Sequence, residues 1–456
     1  MNKNYKYNLY KYFYEKDYLI LILLVLFIFV ILQISLFEII IPNITNGEFK
    51  HLGLLKGDAS YFHQKSLILS NHLKYAINYG FFSSYFERLL DFTSVPINIK
   101  ILSIFYYLFG NDPTSIIYLN SIFFLISIVC IYQISKLTFK DINNCKLFFI
   151  LACLVLLFFP SFIYIFNSTG KETMTITIFL VYLTFLIRIK KNYNISLSNI
   201  IIFIFTIILL QFIRPHYYAL LFLLTLTYLI FNLFNFSMNK KIIFNITKLI
   251  LSFLIVYLVF VFFIEVSLEN FNQISQTTIN KYIEDQILYN NTNYIINYTY
   301  SPYIFDFIEN EYIKVISLRN HFIQYNLSIN SNTLISTNLY NDIYDFFIYL
   351  PILLNESILI PYPFWSINNK NEIFSILVNF EMVFMYSFYI IILINIKKLN
   401  SFEIILIFFM IFSCSLLFFI NPNIGTYYRI RQPFNLFIIL ISLKYLCNNL
   451  LSIYRR

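Results

Sequence analysis

An all-α, polytopic transmembrane helix bundle is the fold class this sequence predicts, and three observations predict it. Of the 456 residues, 59% are hydrophobic and only 12% are charged, too little polar surface to coat a water-soluble globule, so lipid must serve as the solvent. Ten apolar segments approach the roughly 20 residues that a helix needs to cross a bilayer. Lysines cluster beside one set of segment ends, as they do when positive charge orients a membrane protein.

The segments run approximately over 19–41, 113–137, 146–166, 172–189, 198–213, 215–236, 242–264, 372–396, 401–420 and 433–450. The first, Leu19 to Ile41, exceeds the roughly 7–15 residues of a signal-peptide core and has no small-residue cleavage site, so it is expected to remain as an anchor. The third to sixth are short and joined by polar turns at Asn167–Lys171 and Arg214–Pro215, which predicts two hairpins rather than two long helices. Two shorter apolar pieces, Ile97–Phe109 and Phe346–Ile360, adjoin Pro96, Pro351, Pro361 and Pro363 and are expected to be interfacial or re-entrant helices framing a cavity.

Charge then assigns the sides. Lys3, Lys6, Lys11 and Lys16, then Lys136, Lys140 and Lys146, then Arg188, Lys190 and Lys191, then Lys240, Lys241 and Lys248, then Lys397 and Lys398, and finally Arg455 and Arg456 mark one common side. That side is expected to be the cytoplasm, with both termini there and the chain in a bacterial inner membrane. The layout is a cytoplasmic N-terminus over 1–18 and an N-terminal transmembrane bundle over 19–264 with an outer loop at 42–96. An external loop or small lobe with an interfacial helix covers 265–371, and a C-terminal transmembrane segment covers 372–456.

The formal charge of +9 is carried by these juxtamembrane clusters, which argues against nucleic acid as a partner. The five cysteines, Cys130, Cys145, Cys153, Cys414 and Cys447, have no CxxC or CxxH spacing and indicate neither a disulfide framework nor a zinc site. No internal repeat of 20–50 residues is visible, and the halves do not mirror each other as in an inverted-repeat transporter.

Arginine is the first residue type that points to chemistry, because this chain uses Lys wherever a generic cation serves. The expected topology puts Arg88, Arg214, Arg319, Arg429 and Arg431 on the outer face, against the positive-inside bias. A planar guanidinium suits bidentate binding of phosphate, so the cluster suggests a lipid phosphate or pyrophosphate; the plainer alternative is snorkelling to outer-leaflet headgroups. Asp58, in Lys56-Gly57-Asp58-Ala59-Ser60-Tyr61, precedes a helical stretch containing Gln64, Lys65, His72 and Lys74. It is either a reactive carboxylate near the bilayer or a helix cap. Lys171 and Glu172 open a span, where Glu suits the helix dipole and Lys opposes it. Glu381 lies inside a span and is therefore a functional candidate.

Together these motifs resemble bacterial membrane glycosyltransferases of the C-type fold. The resemblance rests on Asp58 in the first outer loop, the amphipathic stretch after it, the turn Phe109 to Pro113, the Pro160-Ser161 hairpin ending in Lys171-Glu172, and Arg214-Pro215. Further elements are Arg319 followed by Pro361-Tyr362-Pro363-Phe364-Trp365, and the Asn-x-Gly-Thr-x-x-Arg-x-Arg loop from Asn423 to Arg431. The better-studied branches carry Asp-Glu where this chain has Asp58-Ala59.

The resemblance implies transfer of a sugar from a polyprenyl-phosphate or polyprenyl-diphosphate donor to a glycan, lipid or protein acceptor on the external face. Asp58 would be the catalytic base, and Lys171, Glu172, Arg214, Arg319, Arg429 and Arg431 would form the lipid-phosphate site. The resemblance fixes no cofactor, and a divalent cation is compatible with such a site. A polymerase of the O-antigen type would use the same carrier on the same face. A lipid-linked oligosaccharide flippase or other transporter would instead show charge through the bundle interior and similar polarity on both faces.

Overall fold

The computed structural model describes residues 3–36, 58–79, 97–110, 112, 115–166, 171–191, 197–234, six positions between 246 and 254, positions 319 and 323, and 343–360, 372–420 and 424–454. Arg88, the Pro361–Trp365 element, Arg455 and Arg456, and nearly all of the 265–342 stretch lie outside the described residues.

Among the described residues the chain is helical, without strands. The α-helices are α1 (Lys3–Ser35), α2 (Asp58–Tyr79), α3 (Ile97–Phe109), α4 (Ile116–Thr138), α5 (Ile142–Phe158), α6 (Pro160–Phe166), α7 (Glu172–Lys190), α8 (Leu197–Ile213) and α9 (Pro215–Phe234). They continue with α10 (Ile343–Leu359), α11 (Glu372–Ile394), α12 (Ser401–Ile420), α13 (Ile424–Ile430) and α14 (Gln432–Tyr454). Five of these, α1, α4, α7, α12 and α14, contain stretches long and apolar enough to cross a membrane, and the bent pair α5 and α6 makes a sixth. Of the other four expected spans, three coincide with shorter apolar helices, Ser198–Ile213, Pro215–Phe231 and Asn379–Ile394, and 242–264 falls largely outside the described residues.

Exposure sorts the helices into layers. Phe27 on α1 is 66% exposed and Phe408 on α12 is 69% exposed, positions suited to contact with lipid. By contrast, α7 is buried along almost its whole length, from Thr173 to Leu186. Its hydroxyls tie the centre together: Thr177 Oγ1 lies 2.9 Å from Ser127 Oγ on α4, and Tyr182 Oη lies 2.8 Å from Thr225 Oγ1 on α9. Such bonds between helices replace the hydrophobic drive that lipid cannot supply.

The two ends of the bundle differ chemically. At one end Lys146 Nζ is 2.8 Å from Asp17 Oδ2, Arg188 donates to Gln133, Lys190 donates to Asn400, and Lys444 meets Glu403. At the other end lie the start of α7, the α8–α9 turn at Arg214, and the end of α12, where Arg319 donates to the Phe419 carbonyl. The turn at Arg214 closes the expected hairpin: Tyr182, midway along α7, touches Phe203 on α8 and reaches Leu221 on α9.

The third apolar segment is not straight. Pro160 lacks an N–H and its ring crowds the preceding turn, so the helix breaks and α6 departs from α5 by 70°. A break inside a bilayer leaves backbone groups that water cannot satisfy, and side chains from neighbouring elements satisfy them here. Ser161 N–H donates to Glu381 Oε2 at 2.7 Å, and Ser161 Oγ donates to Glu381 Oε1 at 2.7 Å. At the other end of α6, Gln33 and Asn120 both donate to the Phe166 carbonyl, at 2.8 and 2.6 Å, and Thr173 donates to the Ile165 carbonyl at 2.8 Å.

The same logic holds α10, which contains Pro351 and packs against α12, its Ser357 Oγ 2.9 Å from Ser415 Oγ. The carbonyls of Ser357, Ile358, Leu359 and Ile360 accept in turn from Tyr427, Tyr389, Tyr386 and Arg431. Four successive carbonyls at a helix C-terminus have no partners within the helix. A cation is favoured there by the helix dipole as well. The expected re-entrant piece therefore ends inside the protein, with its last carbonyls satisfied by phenols and one guanidinium.

Candidate functional site

Local sequence places the first site residues. Glu172 begins α7, Lys171 immediately precedes it, and Arg214 occupies the turn that Pro215 forces between α8 and α9. Arg429 lies on the short helix α13. The structure pairs two of these directly and puts the other two within electrostatic reach. Arg214 Nη2 is 2.5 Å from Glu172 Oε1, with the two side chains 11% and 13% exposed. Arg429 and Lys171 also act on the Glu172 carboxylate, and the field of Arg214 and Lys171 reaches His216.

Arg214 is thus fixed by one carboxylate that also feels the charges of Arg429 and Lys171, so positive charge is in excess around it. Such an arrangement can hold a phosphate through charge-assisted hydrogen bonds. It sits at the end of the bundle opposite the lysine clusters.

Arg319 and Arg431 are placed differently. Arg319 is fully buried, donates to the Phe419 carbonyl at 2.5 Å and lies over the Phe419 ring. Arg431 is 1% exposed. Its Nη1 donates to the Ile360 carbonyl, its Nη2 contacts Met382 Sδ at 3.0 Å, and its guanidinium lies 5.4 and 5.5 Å from the ring centres of Tyr427 and Tyr428. Two residues apart in sequence, Arg429 is half-buried and Arg431 enclosed.

Glu381 finds the partners that sequence could not name: Ser161 through two bonds, and Gln432 Nε2 at 3.3 Å. This carboxylate braces the α5–α6 break.

Asp58 opens α2, whose inner face packs on α3 through Ser66 donating to the Ile99 carbonyl at 3.2 Å. On that face His63, a residue sequence reasoning passed over, places its Nδ1 2.7 Å from the Tyr106 hydroxyl. Burial holds the imidazole below its ordinary titration range, and Asp112 opposes that shift. Asp112 follows Gly110, whose φ of +104° a side chain would strain, and which turns the chain out of α3. The signal available in sequence was position alone: His63 follows Asp58 by about one and a half helical turns, and only five histidines occur in the chain.

Among the described residues no three His, Cys, Asp or Glu side chains converge as a metal centre would require. The chain matches no known protein family, and no curated protein or solved structure is significantly similar to it.

Proposed function

We propose that this chain is a membrane glycosyltransferase that moves a sugar from a polyprenyl-phosphate or polyprenyl-diphosphate donor to a hydroxyl acceptor on the external face, in synthesis of a surface polysaccharide or glycoconjugate. The observation that carries this reading is the Arg214–Glu172 pair, with Lys171 and Arg429 in electrostatic reach of the same carboxylate, at the end away from the lysine clusters. With the lysine end in the cytoplasm, these cations face the outer leaflet, where a lipid-borne phosphate presents itself.

In the reaction the acceptor oxygen bonds to the anomeric carbon as the bond from that carbon to the phosphate oxygen breaks, with inversion. The acceptor proton passes to Asp58. The electron pair of the broken bond leaves on the lipid phosphate, whose charge Lys171, Arg214 and Arg429 stabilise. Arg319 and Arg431 brace the surrounding helices in this scheme, and Glu172 orients Arg214.

Purified protein in proteoliposomes, supplied with polyprenyl phosphate and polyprenyl diphosphate carrying a radiolabelled hexose, tests the proposal. Acceptor-dependent loss of label from the lipid, abolished in Arg214→Gln, is the expected result. Transbilayer movement of the intact labelled lipid without loss of its sugar would replace the transferase with a transporter.

A further inference from the structure

A half-open cavity lies at the lysine end, far from the arginine cluster. Its volume is about 140 Å³, and it opens among the ends of α4 and α7, the middle of α14 and the starts of α5 and α12. Its apolar wall includes Phe148, Leu183, Leu406 and Phe437, while Lys190, Lys191, Glu403 and Lys444 supply the charge.

Glu403 meets Lys444 at 2.5 Å and also accepts from the Tyr445 hydroxyl at 2.8 Å. Lys190 donates to the neutral Asn400 at 2.5 Å and lies over the Phe402 ring. Lys191, its neighbour, is exposed. Glu403, whose charge also reaches Lys190, is the lone carboxylate among the lining residues, so three lysines share one acid and the lining keeps a net positive charge.

We propose that this cavity is a second anion site, built for the phosphate of an anionic phospholipid in the leaflet at the lysine end. Size argues for a lipid over a whole soluble ligand, because pockets that enclose small molecules usually span about 300–1,000 Å³. A cavity of about 140 Å³ takes only part of its ligand. A phosphoglycerol headgroup meets both surfaces at once: the phosphate between Lys190 and Lys191, and the glycerol and first methylenes against Leu406 and Phe437. The acyl chains remain in the bilayer. Basic pockets between transmembrane helices recognise anionic headgroups by the same combination. This site stands independently of the transferase reading and uses none of its residues.

The test compares full-length protein in a neutral detergent with added phosphatidylglycerol, phosphatidylcholine of the same chain length, or inorganic phosphate. Thermal melting and native mass spectrometry report stabilisation and retained lipid. Phosphatidylglycerol should raise the melting temperature and stay bound where phosphatidylcholine does not, and inorganic phosphate at equal concentration should do neither. Two lysines near a lipid surface account for roughly 30-fold in affinity, so Lys190→Gln with Lys191→Gln should weaken phosphatidylglycerol retention by about that factor. Lys191→Gln alone, at an exposed position, should show an intermediate loss while melting like wild type in phosphatidylcholine. Equal effects of the two lipids, unchanged retention in the variants, or matching stabilisation by inorganic phosphate would each overturn the proposal.

Discussion

Arg214 Nη2 lies 2.5 Å from Glu172 Oε1, joining the turn between two helices to the first residue of the most buried one. Both side chains are nearly desolvated, so neither can be removed without leaving charge behind. Glu172→Gln exposes Lys171, Arg214 and Arg429 to mutual repulsion, whereas Arg214→Gln leaves Glu172 in the field of the remaining two cations. Glu172→Gln should therefore lower the melting temperature in detergent more than Arg214→Gln. The double variant should lose less than the sum, by a coupling of about 0.5–3 kcal/mol. Strict additivity would show that the pair contributes nothing.

Arg429 and Arg431 should respond differently to substitution. Arg431 is buried and donates to the last carbonyl of the α10 terminus, so Arg431→Gln should reduce abundance and thermal stability, and a cysteine at Ser357 should become reactive to a small thiol reagent. Arg429→Gln should leave abundance intact and impair donor use. Normal stability in Arg431→Gln would show that the guanidinium does not hold α10.

His63 gives a pH dependence whose sign follows from its depressed titration. The unfolded chain takes up this proton near about pH 6.5, whereas the folded protein takes it up only at lower pH. Stability should thus fall as pH drops below about 6.5 and level off once the folded imidazole protonates. Facing groups are Tyr106, which shares the hydrogen bond, and Asp112, which favours protonation. Melting curves of wild type and His63→Gln across this range provide the check. An identical slope in the variant would remove His63 from the account.

What was legible in the sequence was whatever depends on local pattern. Apolar runs marked the helices, Pro215 after Arg214 marked a hairpin, and the lysine spacing identified one end of the bundle before any contact was known. Three features were not legible, because their partners are far apart in the chain. Glu381 announced itself as an intramembrane acid, yet its partner Ser161 lies 220 residues away. The spacing of Arg429 and Arg431 suggested one shared phosphate site, but the end of a seven-residue helix falls between them and turns only Arg431 inward. Glu403 and Lys444, 41 residues apart, drew no reading from the sequence, and only packing pairs them beside a cavity.

Asp58→Asn separates a catalytic carboxylate from a helix cap, since Asn caps a helix about as well as Asp. Abundance should be unchanged, and transfer should fall by about 10²- to 10⁴-fold, the usual consequence of losing a general base. If transfer is near normal, Glu172 and Glu381 are poor replacements, because Arg214 and Ser161 already engage them. His63, on the same helix, then becomes the group to substitute.

Binding of labelled polyprenyl phosphate to purified protein, measured with wild type, Arg429→Gln and Lys190→Gln/Lys191→Gln, tests the arginine-end site most directly. Saturable binding should weaken at least about tenfold in Arg429→Gln, as expected for a lost charge-assisted contact of about 1.5–3 kcal/mol, and stay at the wild-type value in the lysine variant. Equal binding by wild type and Arg429→Gln, or a loss confined to the lysine variant, would contradict the assignment of the donor phosphate to the arginine end.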